Sequence, residues 1–138
     1  MSTILVPTTA ADPETRLRVR LRQNAAFSAL GGVIASVACV PLSDAMGVGG
    51  QWWVLLAAGL GLLGFAALVW LAASRPTAKL IGESLEISIA DASWVTGSVV
   101  VVALGVFSAF GVIVMLAQAT VVAFFGATQA RYRREAMR

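Results

Sequence analysis

The chain has 138 residues, 59% of them hydrophobic and 12% charged, with 10 basic side chains against 7 acidic and a net charge of +3. Mean hydropathy is +0.86. A water-soluble domain carries about 25% charged residues, so these figures exclude a disordered chain, a disulfide scaffold, a coiled coil and an ordinary soluble enzyme. They predict an all-α, polytopic membrane protein.

The chain opens on Met1–Ala11, which has no periodicity. Asp12-Pro13-Glu14 is a helix start: an acid to cap, a proline at the first helical position and an acid in the first turn. The run from Arg16 to Arg22 alternates arginine with apolar residues. Period two alone suggests a strand, but a lone strand at a membrane surface would leave its edges unpaired, so a helix continuing into the first span is expected. The first span runs from about Asn24 to Leu42. Ser36-Val37-Ala38-Cys39 loosely resembles a lipoprotein cleavage site, yet Ser36 stands where such sites want leucine, and an uncleaved helix with a buried free cysteine is expected.

The second span, Trp52 to Ala73, holds no charge. Arg75-Pro76 then stops it, and proline permits a new helix from Thr77. Trp94 to Ala127 is an uncharged stretch of 34 residues. As one helix it would reach about 51 Å, too long for a hydrocarbon core of about 30 Å. A turn is therefore placed at Ser108-Ala109-Phe110-Gly111, with Gly111 at positive φ. The third span becomes 80–107 and the fourth 111–130. The competing reading starts a shorter third helix at Ala92, capped by Asp91.

All ten basic residues fall before the first span, between the second and third, or after the fourth. The positive-inside rule then puts both termini in the cytoplasm. The expectation is four transmembrane helices in an up-down bundle of a bacterial inner membrane. Residues 1–23 form a cytoplasmic arm with a basic helix, 24–130 the membrane domain and 131–138 a basic tail. Arg16, Arg18, Arg20, Arg22, Arg131, Arg133 and Arg134 are read as lipid-phosphate contacts rather than a nucleic-acid surface. Trp52, Trp53 and Tyr132 read as interfacial anchors.

There is no histidine and one cysteine, Cys39. Histidine-based triads, haem and zinc sites and a Cys-x-x-Cys pair are excluded. No catalytic residue, metal or cofactor is expected. Gly59-Leu60-Gly61-Leu62-Leu63-Gly64 matches a dinucleotide pattern but lies inside an apolar helix, so it reads as a packing surface. Gly31, Gly32 and Gly105 are assigned the same role. Glu83 and Glu86 read as partners for nearby basic residues.

Asp91 is the outstanding residue. If the third helix is continuous, its carboxylate lies at membrane depth, which costs about 2.5–3.5 kcal/mol on insertion scales. It should be paired, protonated or facing water. Asn24 is its expected partner, with Ser28, Ser98 and Gln118 completing an intramembrane polar site. The first and third spans are expected to pack along these faces.

Asn24-Ala25-Ala26-Phe27-Ser28 after an arginine-rich start, the glycine-rich second span ending in Arg75-Pro76, and Asp91-Ala92-Ser93-Trp94-Val95-Thr96-Gly97-Ser98 resemble small four-span bacterial integral membrane proteins with no assigned activity. That resemblance implies a four-helix membrane fold and no known reaction. The expected function is a non-catalytic accessory or assembly subunit of a membrane complex. Its partners would be the lipid bilayer and other membrane subunits or further copies of itself. The alternative is a small transporter or channel using Asp91.

Overall fold

A computed structural model describes residues 11–138. They form five α-helices: α1 (Pro13–Val37), α2 (Cys39–Ala45), α3 (Trp52–Ala73), α4 (Thr77–Ala103) and α5 (Ala109–Ala136). A 3-10 turn, Gly49–Gln51, leads into α3.

The Asp12 side chain caps α1, accepting from the Thr15 N–H at 2.6 Å, and Pro13 follows at the start of the first turn. The basic run is helical. Leu17, Leu21 and Ala25, spaced four apart, are buried, so the period that matters here is 3.6 and not two. α1 stops at Val37 instead of reaching Leu42. The cause is Pro41. In an unbroken helix its ring would strike the Val37 carbonyl and it has no N–H to offer. The backbone leaves helical geometry at Ala38 and restarts as α2, bent by 90° from α1, with Pro41 in the first turn.

α4 is continuous from Thr77, so Asp91 sits mid-helix and caps nothing. The helix ends at Ala103, not Phe107. Gly105 takes the positive φ, +71°, and its N–H bonds back to the Val102 carbonyl, as glycine does just past a helix end. Gly105 is thus a turn residue; a Cβ there would meet nothing within 4 Å. Ser108 caps α5, its hydroxyl accepting from the Gly111 N–H at 3.2 Å. The expected turn at Ser108–Gly111 is therefore the first turn of a helix. Gly111 is needed for close approach instead, since a Cβ there would lie 2.8 Å from the Met46 carbonyl oxygen. α5 continues past residue 130, so most of the basic tail is helical.

α1 lies between α3 and α5, and α4 lies along α5. The expected pairing of the first and third spans is not found: α1 and α4 face each other across the diagonal. α3 and α4, though consecutive, barely touch. The α1–α3 seam is backbone against backbone. A Cβ on Gly32 would lie 2.8 Å from the Gly59 oxygen, and one on Gly59 would lie 2.8 Å from the Gly32 oxygen and overlap the Ser36 hydroxyl. Gly31 makes only ordinary contact, with Leu62 at 3.8 Å, while Gly61 and Gly64 face open space.

The apolar core gathers at the arginine-bearing end, where Leu17, Leu21 and Ala25 meet Val69, Ala72, Ala73, Leu80 and Ile87. Here Arg18 donates to the Ala73 oxygen at 2.8 Å and the Arg75 oxygen at 2.7 Å. It also pairs with Glu14 at 2.7 Å. Two orphan carbonyls past the end of α3 are satisfied this way. At the opposite end the Ser108 N–H donates to the Met46 oxygen and its hydroxyl to the Ala45 oxygen, both at 2.8 Å.

Elsewhere large apolar side chains point outward: Leu30, Leu68, Leu104 and Ile113 are each more than 60% exposed. Such a surface requires an apolar medium. Three stretches, Gly49–Ala73, Thr77–Ala103 and Ala109–Ala136, are long and apolar enough to cross a membrane. The bent α1–α2 pair makes four if it counts as one crossing.

Two predictions follow from these contacts. Gly59→Ala should cost about 1–3 kcal/mol through overpacking, whereas Gly64→Ala should be neutral or slightly stabilising; thermal unfolding in detergent separates them. The Arg18 guanidinium holds the Glu14 carboxyl below its ordinary value of 4.5, with Thr77 helping. A depressed carboxylate stabilises the fold above its unfolded pKa and loses that contribution as pH falls through the folded one. The stability difference between the native chain and Glu14→Gln should therefore shrink as pH falls below 4.5, read from paired melting curves.

Candidate functional site

α4 carries Asp91, Trp94 and Ser98 on one face at i, i+3 and i+7 spacing. Asp91 is 3% exposed. Its Oδ2 accepts from the Asn24 side-chain amide at 2.9 Å across the bundle. The Ser28 hydroxyl, one turn along α1, donates to the Asn24 side-chain amide oxygen, Oδ1, at 3.3 Å. Asn24 and Ser28 are buried as well. No basic side chain pairs with Asp91 among the described residues: the ion pairs are Arg18–Glu14, Arg75–Glu83 and Arg131–Glu135.

Ser98 and Gln118 form a separate group about 10 Å farther along α4. Trp94 Nε1 donates to Gln118 Oε1 at 2.7 Å, and Gln118 Nε2 donates to the Ser98 hydroxyl at 3.0 Å. Ser98 closes the loop by donating to the Trp94 carbonyl at 2.8 Å. The five expected polar residues are thus two clusters, three around the carboxylate and two fixing the indole. Thr96 and Thr120 point outward and satisfy themselves on the carbonyls of Ala92 and Leu116.

Gln129 was not among the expected residues. It is fully buried, and neither atom of its amide has a hydrogen-bond partner. It lies beside the Asp91 carboxylate, one turn beyond Gly126, where a Cβ would sit 3.5 Å from the Asp91 Cβ. The available sequence signal was a second glutamine on the helix that bears Gln118.

Because α3 and α4 separate, a cleft of about 220 Å³ opens between them. Its walls include Ala58, Leu62 and Phe65 from α3 and Trp94 from α4, and Ser28 and Asp91 reach it from below. A carboxylate neighboured only by amides and hydroxyls has no acid–base counterpart. Such a group can hold a proton, a cation or a hydrogen bond.

The arginines divide by use. Arg18 is committed to the end of α3, and Arg133 donates to the Ile81 oxygen at 2.9 Å. Arg16 and Arg131 lie over the Tyr132 ring at 5.9 Å, Arg20 over Phe124 at 5.1 Å and Arg22 over Trp70 at 5.7 Å. Arg22, Arg75, Arg131, Arg134 and Arg138 are the exposed ones.

Comparison with family models, curated proteins and solved structures finds no match to this chain.

The Asn24–Asp91 bond is open to a double-mutant cycle. Asn24→Leu leaves a buried carboxylate without its donor and should cost about 1–3 kcal/mol. Asn24→Leu with Asp91→Leu should recover much of that loss, since both polar groups are gone. Denaturant unfolding in micelles reads the coupling, and additive losses would show that the two side chains act independently.

Proposed function

We propose that this chain is a non-catalytic, four-span inner-membrane protein with both termini in the cytoplasm, acting as an accessory or assembly subunit of a larger membrane complex. The placement of all ten basic residues supports the orientation. The bent α1–α2 pair then serves as the first crossing.

The observation that carries the subunit reading is the outward face of α3. Ala57, Gly64 and Ala67 are exposed on it, and a Cβ on Gly64 would meet nothing within 4 Å. Lipid contact alone asks for large apolar side chains, as at Leu60 and Leu68. Small residues let another helix approach closely, as Gly32 and Gly59 do inside this chain. The same kind of surface occurs twice on α3, used once internally and once left free.

Purification in mild detergent through a C-terminal tag, followed by native mass determination, should reveal a stoichiometric membrane partner. Gly64→Leu should remove that partner while leaving the melting temperature of the isolated chain unchanged. A native chain that runs only as a monomer from its own membrane would contradict the subunit reading.

A further inference from the structure

The cleft between α3 and α4 is lined by side chains from four helices. It has an apolar lining, a buried aspartate at its floor and two aromatic side chains, one on each facing helix. The geometry points to a small organic cation with apolar substituents, such as a quaternary ammonium bearing one aromatic ring, as the ligand of this cleft, held by Asp91 below and by Phe65 and Trp94 at the sides.

Asp91 is 3% exposed and its Oδ2 takes the Asn24 amide. The Gln129 amide lies beside the same carboxylate, and the Asp91 side chain borders the cleft. Every other bordering side chain is uncharged, and only the Ser28 hydroxyl and the Trp94 N–H are polar. The hydroxyl is turned to Asn24 and the N–H to Gln118. A neutral polar ligand would therefore find no free donor. An anion would meet a carboxylate. An ammonium ion with hydrocarbon arms fits, because its charge is diffuse, weakly hydrated and attracted to both the carboxylate and aromatic faces.

The site is also preformed. Gln118 and Ser98 lock the indole of Trp94 through bonds of 2.7 and 3.0 Å, and Asn24 and Ser28 orient the carboxylate. Little conformational entropy remains to be lost on binding. The volume of about 220 Å³ suits a single-ring ligand rather than a lipid. This inference is independent of the subunit reading, since it concerns the interior of the α3–α4 seam and not the outer ridge at Gly64.

The test is titration calorimetry of the full chain in nonionic detergent. The probes are benzyltrimethylammonium and its uncharged isostere, neopentylbenzene. The native chain should bind the cation, and neopentylbenzene more weakly by about tenfold or more. Asp91→Asn, which keeps the shape and the Asn24 contact, should abolish that preference without weakening neopentylbenzene. Gly61→Leu places a side chain at the cleft where nothing lies within 4 Å of a Cβ; it should block both probes while the melting temperature holds. Equal affinity for the two probes, a cation affinity unchanged by Asp91→Asn, or no cation binding up to millimolar concentration would each overturn the assignment. Loss of co-purifying protein in Gly64→Leu with cation binding intact would leave this site standing and bear on the subunit alone.

Discussion

The bond from the Asn24 amide to the Asp91 carboxylate crosses the bundle between α1 and α4, two long helices whose other meeting point is the apolar core at the basic end. In an apolar medium the hydrophobic effect does not drive helices together, and packing and polar contacts must do so. α1 has its packing surface against α3 through Gly32 and Gly59, and α4 has its own along α5. The diagonal bond joins these two pairs. It also gives the carboxylate on the inner face of α4 a partner, with the Gln129 amide beside it. The open α3–α4 seam follows from the same arrangement, since the sequential neighbours are each drawn to a different partner.

The two ends of the bundle are closed by polar contacts of another kind. At the basic end Arg18 threads back to the carbonyls past α3. At the opposite end Ser108 reaches the Ala45 and Met46 carbonyls. Counted from Leu17, α1 rises about 30 Å before its break at Ala38, the thickness of the hydrocarbon core. Counted from Gln23 it rises only about 20 Å. Arg20 and Arg22 lay their guanidinium groups over Phe124 and Trp70. Long basic side chains at a membrane boundary cover apolar surface with their stems and keep the charge at the interface.

Much of this was legible in the residues. Helical content, the cap at Asp12, the continuous helix from Thr77 and the pairing of Asn24 with Asp91 all follow from local rules and from the cost of a buried charge. Other features did not follow. Pro41 was passed over, although it alone explains why α1 ends at Val37. Gly105 and Gly111 exchanged roles because either can make a turn, and only the Ser108 cap decides between them. Which spans pair was invisible, because small residues occur on several faces: Gly32 and Gly59 close against each other, whereas Gly61 and Gly64 in the same run face outward. Arg18 was read as a lipid contact and Gln129 was not singled out, for a shared reason. Their neighbours lie in segments distant along the chain, which only the folded arrangement brings near.

The seam between α3 and α4 is open, with Asp91 at its floor. A nitroxide at Gly61→Cys, in a Cys39→Ser background reconstituted into bilayers, tests it most directly through collision rates with oxygen and with a water-soluble nickel chelate. The account predicts strong oxygen collision and little nickel collision, the signature of an apolar, lipid-facing cleft. Protection from both reagents would mean that the seam is closed. Ready access by the nickel chelate would mean that the cleft is water-filled, and either result would contradict the account.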